Sequence, residues 1–204
     1  MSEPIRPAAT VILWRGSAEG PQVLMGQRSA GSAFMPSKYV FPGGAVDPED
    51  HGQALDEGWL TAQCHARLAG DTCPAAALVA AARREVLEES GLELTAVPGS
   101  SALRFVFRAI TPPGRTRRFD ARFFLAPALG VRGDQQGFAG ASGELSHLHW
   151  IGLGAARALD LPFITEVVLA EVAALLQGSG PDPHLAGVPF FDNSGPEPTF
   201  RRLT

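Results

Sequence analysis

The first third of the chain consists of short apolar segments separated by turn residues. Segments 9–16 and 21–29 are apolar and contain β-branched residues, and a short polar turn lies between them, so a β-hairpin is expected. A third strand begins at Lys38 and ends where the Pro42-Gly43-Gly44 triplet interrupts the backbone pattern. This part of the chain is therefore predicted to form strands and tight turns.

Two later segments have the composition and the period of α-helices. Segment 75–90 consists of strong helix formers and is followed by Gly91, the expected C-terminal stop. Asp71 and Thr72 precede it as candidate N-caps. Segment 161–177 places its apolar residues on one stripe of a helix. Further strands are expected at 103–111, 117–128 and 145–153, so the chain is predicted to be an α/β domain with a mixed sheet.

The composition excludes several classes of protein. The 204 residues suffice for one domain with a full core, and 45% of them are hydrophobic and 19% charged. A net charge of −4 does not favour a nucleic-acid partner. No apolar run approaches the roughly 20 residues that span a bilayer, and the N-terminus does not resemble a signal peptide. The two cysteines form no metal-binding motif, so a cytoplasmic protein without a membrane partner is predicted.

The candidate chemistry lies in the stretch RREVLEESG, residues 83–91. Glu85, Glu88 and Glu89 occupy positions i, i+3 and i+4, so their carboxylates share one face of a helix and repel each other. Either solvent or a cation must balance this charge, and three carboxylates are ligands that suit Mg²⁺ or Mn²⁺. Arg84 lies four residues before Glu88 and can hold a carboxylate in a ligating orientation.

Together with FPGG at 41–44, this stretch resembles the Nudix box, G-x5-E-x7-R-E-U-x-E-E-x-G-U, in which U is a bulky aliphatic residue. The second half of the box is matched by Arg84, Glu85, Val86, Glu88, Glu89, Gly91 and Leu92. Gly44 lies 40 residues before Arg84 rather than 14, which implies an insertion of 26 residues. Counted back from Arg84, the first glutamate falls on Ala76, for which Asp71 or Glu57 might substitute.

The resemblance implies a Nudix fold, an α/β/α sandwich with a central mixed β-sheet. The chain would form a single domain, 1–204, with the insertion at about 48–73 and a Gly/Pro-rich tail from about 178. The family's chemistry implies a metal-dependent hydrolase, with Mg²⁺ or Mn²⁺ held by the three glutamates and the Gly44 carbonyl. The general base would be Glu144, in the loop before the last predicted strand, or else Glu88 or Glu89.

A second resemblance concerns the substrate. The segment from Val23 to Gly44 is similar to the region upstream of the box in coenzyme A diphosphatases, with Arg28 and Phe41 among the matching residues. Ala33 and Ser37 stand where that pattern has arginine and glycine. The divergent peroxisomal branch and its bacterial relatives are the most similar members. This resemblance implies hydrolysis of coenzyme A or an acyl-coenzyme A.

Several alternatives remain open from the sequence. The substrate could instead be ADP-ribose, NADH or another dinucleotide, and the same fold also serves as a non-catalytic ligand-sensing module. Arg118 is a candidate substrate contact, although the arginines at 115, 117, 118 and 122 form either a solvated hairpin tip or a phosphate clamp. A homodimer is also open, because the apolar residues near Phe190 fit either an interface or the core.

Overall fold

A computed structural model describes residues 3–96, 101–178 and 187–204. Its main sheet has nine strands, with β11-β10-β6-β7-β1-β2-β3 as the main order; β4 pairs with β1, and β9 pairs with β2. These strands are β1 (Ile5–Arg15), β2 (Gln22–Arg28), β3 (Tyr39–Val40), β4 (Gly43–Ala45), β6 (Arg104–Ile110), β7 (Arg118–Pro127), β9 (Leu145–Gly152), β10 (Val188–Asp192) and β11 (Thr199–Leu203). A separate small sheet pairs β5 (Glu93–Leu94) with β8 (Val131–Arg132).

The helices are α1 (Ala62–Leu68), α2 (Ala75–Ser90), α3 (Leu153–Ala156) and α4 (Phe163–Gln177), and short 3₁₀ turns occupy Pro48–Gly52 and Ala128–Gly130. Within the ranges that the structure describes, no helix combines the length and the hydrophobicity needed to cross a bilayer. Helix α2 begins at Pro74 without a side-chain cap, so the predicted capping by Asp71 or Thr72 is wrong. Its predicted stop is confirmed, because Gly91 adopts the left-handed conformation with φ of 70°.

The central sheet is mixed, as predicted. Strand β1 runs parallel to β7, and β10 runs parallel to β6, whereas the other pairs in the sheet are antiparallel. Val11, Ile12 and Leu13 are all fully buried, which requires that both faces of β1 be covered. Val11 and Leu13 belong to a core cluster that includes apolar residues of α2, and Ile12 belongs to a cluster with α4. The α/β/α sandwich is thereby confirmed.

The insertion and the segment 187–204 contain more regular structure than their sequences indicate. Trp59, Cys64 and Leu68 from the insertion are buried in the core cluster on the α2 side. The segment after 187 is not only a Gly/Pro-rich tail, because it supplies the strands β10 and β11. Phe190 on β10 is 2% exposed, so within this chain the apolar residues around it complete the core.

Candidate active site

The carboxylate face of α2 packs against the short strand β4. Gly43, Gly44 and Ala45 pair with β1 on one side and lie against α2 on the other. The Gly43 amide donates a hydrogen bond of 2.8 Å to Glu89 Oε2. A Cβ atom at Gly44 would overlap the carboxylate of Glu85, so a larger residue there would displace that carboxylate from its present position. The two glycines therefore hold the backbone directly against two of the three predicted metal ligands.

Arg84 connects the helix to the segment that follows β4. Its guanidinium donates to Ala45 O at 2.9 Å and to Glu85 Oε1 at 2.8 Å, and a longer contact of 3.3 Å reaches Glu88 Oε2. Burial alone would lower the pKa of Arg84, but the hydrogen bonds that Arg84 donates to Asp50 and Glu85 outweigh burial, and the pKa is raised. Arg84 therefore stays charged and binds the Glu85 carboxylate.

Asp50 is a site residue that the sequence interpretation missed. Its carboxylate is buried, accepts bonds of 3.3 and 2.9 Å from Arg84, and accepts another from the Asp47 amide at 2.8 Å. Counted forward from Gly44, Asp50 occupies the position of the first glutamate of the box, whereas the count back from Arg84 leads to Ala76. Asp71, the suggested substitute, binds Arg122 instead. The extra residues of the box therefore follow Asp50.

Negative charge accumulates around this network. Burial raises the pKa of Glu89 to about 8, the Gly43 amide opposes the rise, and the charges of Glu85 and Glu144 add to it. Burial also raises the pKa of Glu85, even though Arg84 acts in the opposite direction. Glu144 lies with Glu85 and Glu89 around a cavity of about 150 Å³, the carboxylate cavity, which is where a general base is expected.

The donor set fits a divalent cation, although the ligands are not yet gathered around one point. Among the described residues, no group of three His, Cys, Asp or Glu side chains is arranged to hold a metal ion as it stands. Glu85 and Glu88 each turn an oxygen to Arg84, and Glu89 turns one to the Gly43 amide. Carboxylate oxygens whose pKa values are raised by burial, and further by neighbouring carboxylates, are nevertheless suitable ligands for a hard cation such as Mg²⁺ or Mn²⁺.

The other predicted substrate contacts divide into two groups. Arg28 lines the carboxylate cavity as well as an adjacent cavity of about 690 Å³, and Phe41 lines the larger one. Arg118 is not among the described residues that line either cavity. Its buried guanidinium donates to Thr111 O at 3.0 Å and to the carbonyls of Asn193 and Ser194. The substrate contact predicted for Arg118 is thus replaced by a structural role, because its donors are committed to the backbone.

The other arginines between 115 and 122 also divide into residues that line a cavity and residues that are buried in ion pairs. Arg115 and Arg117 are exposed; Arg115 lines the larger cavity and Arg117 lines the carboxylate cavity. Arg122 is fully buried and binds Asp71 and Asp120. No signal in the hydrophobic pattern separates these residues, because the distinction depends on contacts with distant segments, Asn193 and Ser194 for Arg118 and Asp71 for Arg122.

A model of the Nudix domain matches residues 4–172 of this chain. The chain belongs to the Nudix domain family. Together with the intact carboxylates of the box, membership of this family supports a hydrolase of pyrophosphate bonds. The matched residues end before β10, so the last two strands lie outside the region that the family model describes.

Solved structures agree with this fold. A Nudix hydrolase from Alicyclobacillus acidocaldarius is similar with a TM-score of 0.60 and 23% identity, over 91% of this chain and 97% of that chain. The mutator MutT protein from Bacillus halodurans has a TM-score of 0.54 and 16% identity, over 97% of each chain. An Ap4A hydrolase from C. elegans has a TM-score of 0.50 and 18% identity, over 85% of this chain and 99% of that one. A search of curated proteins returned no match.

Proposed function

We propose that this Nudix protein hydrolyses the pyrophosphate bond of a nucleoside diphosphate linked to a second group, X. The observation that carries the proposal is the uncompensated charge beside β4. Glu85 and Glu89 are buried against Gly43 and Gly44, and Arg84 is the cation that binds Glu85. A purely structural cluster would be balanced within the protein, whereas this one has an excess of carboxylates that suits a metal-bound substrate.

The residues divide the work as follows. Glu85, Glu88, Glu89 and the Gly44 carbonyl would hold Mg²⁺ or Mn²⁺, and Arg84 positions Glu85 through its bonds to Asp50 and Ala45. When bound, the cation neutralises charge on the phosphate oxygens and lowers the pKa of an attacking water. Glu144 lines the same cavity and is proposed to accept the proton of that water, with Glu88 or Glu89 as the alternative.

The phosphate contacts are assigned to cations that line the two cavities. Arg28 lies between the cavities, and Arg115 and Arg117 extend from the β6–β7 hairpin towards one cavity each. Neither Arg115 nor Arg117 has an acidic partner among the described residues, so their charge is available to an anionic substrate. These two arginines take over the role that the sequence interpretation gave to Arg118.

Coenzyme A or an acyl-coenzyme A is proposed as the substrate, because the segment before the box resembles coenzyme A diphosphatases. Ser37 has a φ of 60°, a left-handed backbone conformation that a glycine at this position would adopt without strain. Ala33 lacks the arginine of the pattern but lines the same cavity as Arg115, which supplies a cation there. ADP-ribose, NADH or another dinucleotide is the alternative. A homodimer and a cytoplasmic location stay predictions.

The test is incubation of the purified protein with Mg²⁺ or Mn²⁺ and, separately, coenzyme A, an acyl-coenzyme A, ADP-ribose, NADH and diadenosine polyphosphates, with chromatography of the products. Release of 3′,5′-ADP from coenzyme A is the expected result. Release of AMP from ADP-ribose or NADH, with coenzyme A intact, would retain pyrophosphate hydrolysis and replace the substrate. If no metal-dependent product forms from any of them, the hydrolase proposal fails for these substrates and the ligand-sensing alternative gains support.

A further inference from the structure

The larger cavity, which we name the apolar chamber, is continuous with the carboxylate cavity. Arg28, Phe34, Gly43, Gly44 and Phe119 line both of them. A substrate whose diphosphate lies beside Glu85 and Glu89 therefore has a direct path into the chamber for an attached group, past Phe34 and Phe119. The chamber has a volume of about 690 Å³, within the range of roughly 300–1,000 Å³ that small-molecule sites occupy.

The wall of the chamber is mainly apolar and carries positive charge but no negative charge among the described residues. Its interior is formed mainly by aromatic and aliphatic side chains, among them Phe41, Phe123, Leu161, Ile164 and Phe191. None of the described residues that line it is acidic, and its cations are Arg28, Lys38 and Arg115. Lys38 is bound to Asp160, whereas Arg115 is exposed without an acidic partner among the described residues. The chamber thus offers an apolar interior together with positive charge.

The side of the chamber nearest β3 is built before any ligand arrives. Met35 and Ser37 have φ values of 50° and 60°, a strained conformation for residues other than glycine, on either side of Pro36. The rings of Phe34 and Phe119 pack edge to face with centroids 5.0 Å apart. Thr116 Oγ1 donates to Ala33 O at 3.1 Å and joins the loop to the β6–β7 hairpin. The loop is consequently fixed in a shape that keeps the chamber open.

Another wall comes from outside the region matched by the family model. Phe191 on β10 and Asn193 after it line the chamber. Arg118 donates to the carbonyls of Asn193 and Ser194 and also to Thr111 O, which holds this segment beside the β6–β7 hairpin. Phe191 packs against Phe163 at the start of α4, with ring centroids 6.2 Å apart. Strand β10 therefore forms part of the chamber wall as well as part of the sheet.

We infer that the apolar chamber binds an apolar portion of X, aliphatic or aromatic, and so selects diphosphates whose X carries such a group. This inference rests on the proposed function for the position of the diphosphate. The apolar portion of X is favoured over the nucleobase as occupant for two reasons. A base requires hydrogen-bonding partners around its edge, which an interior of this composition supplies poorly, and the chamber has space for far more than one flat ring.

The experiment uses a series of ADP alkyl esters in which X is methyl, butyl, hexyl or octyl, hydrolysed by the full chain with Mn²⁺. Each methylene buried in the chamber should raise kcat/KM by roughly fourfold, until the chamber is filled. A kcat/KM that is independent of chain length while all esters are cleaved would overturn the inference and leave the proposed function intact.

Two variants locate the effect in the chamber. Ile164→Trp should narrow the chamber and remove most of the gain from butyl to octyl, with a smaller loss for the methyl ester. Phe163→Ala should lower kcat/KM for the octyl ester several-fold. It should leave folding unaffected, because Phe163 is 67% exposed. Leu129→Ala is the matched control, since Leu129 is 99% exposed and does not line the chamber. A chain-length profile unchanged in both chamber variants would contradict the assignment.

A binding measurement separates failure of the inference from failure of the proposed function. Calorimetry with ethyl, butyl and octyl phosphate, without divalent metal, should show tighter binding as the chain lengthens, and Ile164→Trp should abolish that trend. If no ADP ester is hydrolysed but this trend is present, the proposed function fails and the chamber assignment holds. If the three phosphates bind equally, or none binds, the chamber assignment fails whatever the activity.

Discussion

Two buried clusters of charge in this protein have opposite character. The first, the β7 cluster, consists of Asp71, Arg108, Asp120 and Arg122, two acids and two bases. Arg108 donates hydrogen bonds of 2.8 and 2.6 Å to Asp120, and Arg122 forms ion pairs with both Asp71 and Asp120. Burial alone would raise the pKa of Asp71, but the hydrogen bond and charge of Arg122 and the charge of Arg108 lower it.

The second cluster, the box cluster, consists of Asp50, Arg84, Glu85, Glu88 and Glu89. Arg84 is its one base among four acids, and burial raises the pKa of both Glu85 and Glu89. The β7 cluster is neutral as built and joins the end of the insertion to the central sheet. The box cluster has three more acids than bases, an excess that a divalent cation would reduce. Both clusters contain buried carboxylates, so it is the balance of charge that separates a structural site from a candidate catalytic site.

The largest effect is expected for Glu88→Gln, which removes one charge from the box cluster. We expect kcat for the metal-dependent reaction to fall by about 10³-fold, because the charge stabilisation by the metal contributes several kcal/mol. The fold should be unaffected, since the Glu88 side chain is 54% exposed. Steady-state kinetics with Glu93→Gln as a matched control measures the effect. Wild-type activity in Glu88→Gln would refute the ligand assignment.

The next effect concerns the β7 cluster and stability rather than activity. Arg122→Met leaves Asp71 with one base and removes a partner of Asp120, and losing one partner of a buried pair costs about 3–5 kcal/mol. Urea unfolding should show this loss, whereas Arg132→Met, at an exposed position, should unfold like the wild type. If Arg122→Met were as stable as the control, the β7 cluster would not be the structural element that its balance indicates.

Metal binding should stabilise the protein through the box cluster alone. At a Mn²⁺ concentration of 100 times the dissociation constant, the unfolding free energy should increase by about 2.7 kcal/mol. Thermal unfolding with and without Mn²⁺ measures this increase. Glu88→Gln should lose most of it, and Arg122→Met, although less stable, should keep it. An equal shift in Glu88→Gln would place the cation elsewhere.

The smallest effect is the pH dependence of the β7 cluster. The pKa of Asp71 is lower in the folded protein than in the unfolded chain, so its ionised form stabilises the fold above a pH of about 4. That contribution is lost as the pH falls through the folded pKa of Asp71. Urea unfolding between pH 6 and pH 3 should show a shallower loss for Asp71→Asn than for the wild type, from a lower starting stability. Parallel curves would show that another carboxylate governs acid unfolding.

The local sequence pattern was sufficient to predict helix α2 and the carboxylates that share one of its faces. Helix propensity and the left-handed stop at Gly91 are properties of neighbouring residues, and the i, i+3, i+4 spacing places Glu85, Glu88 and Glu89 together whatever the rest of the chain does. The alternation of strands and helices likewise predicted the mixed sheet, because strand and helix periods differ within a few residues.

The partners of those residues depended on tertiary structure. Asp50 reaches Arg84 across 34 positions, and Arg122 reaches Asp71 across 51, so neither contact has a local signature. Arg118 and Arg115 look alike in sequence, yet only folding decides which guanidinium is buried on carbonyls and which lines a cavity. The sequence by itself determined helix α2, its carboxylate face and the alternation of strands and helices. Packing between distant segments decided the charge balance and the shape of the chamber, because burial and ion pairing arise only when those segments meet.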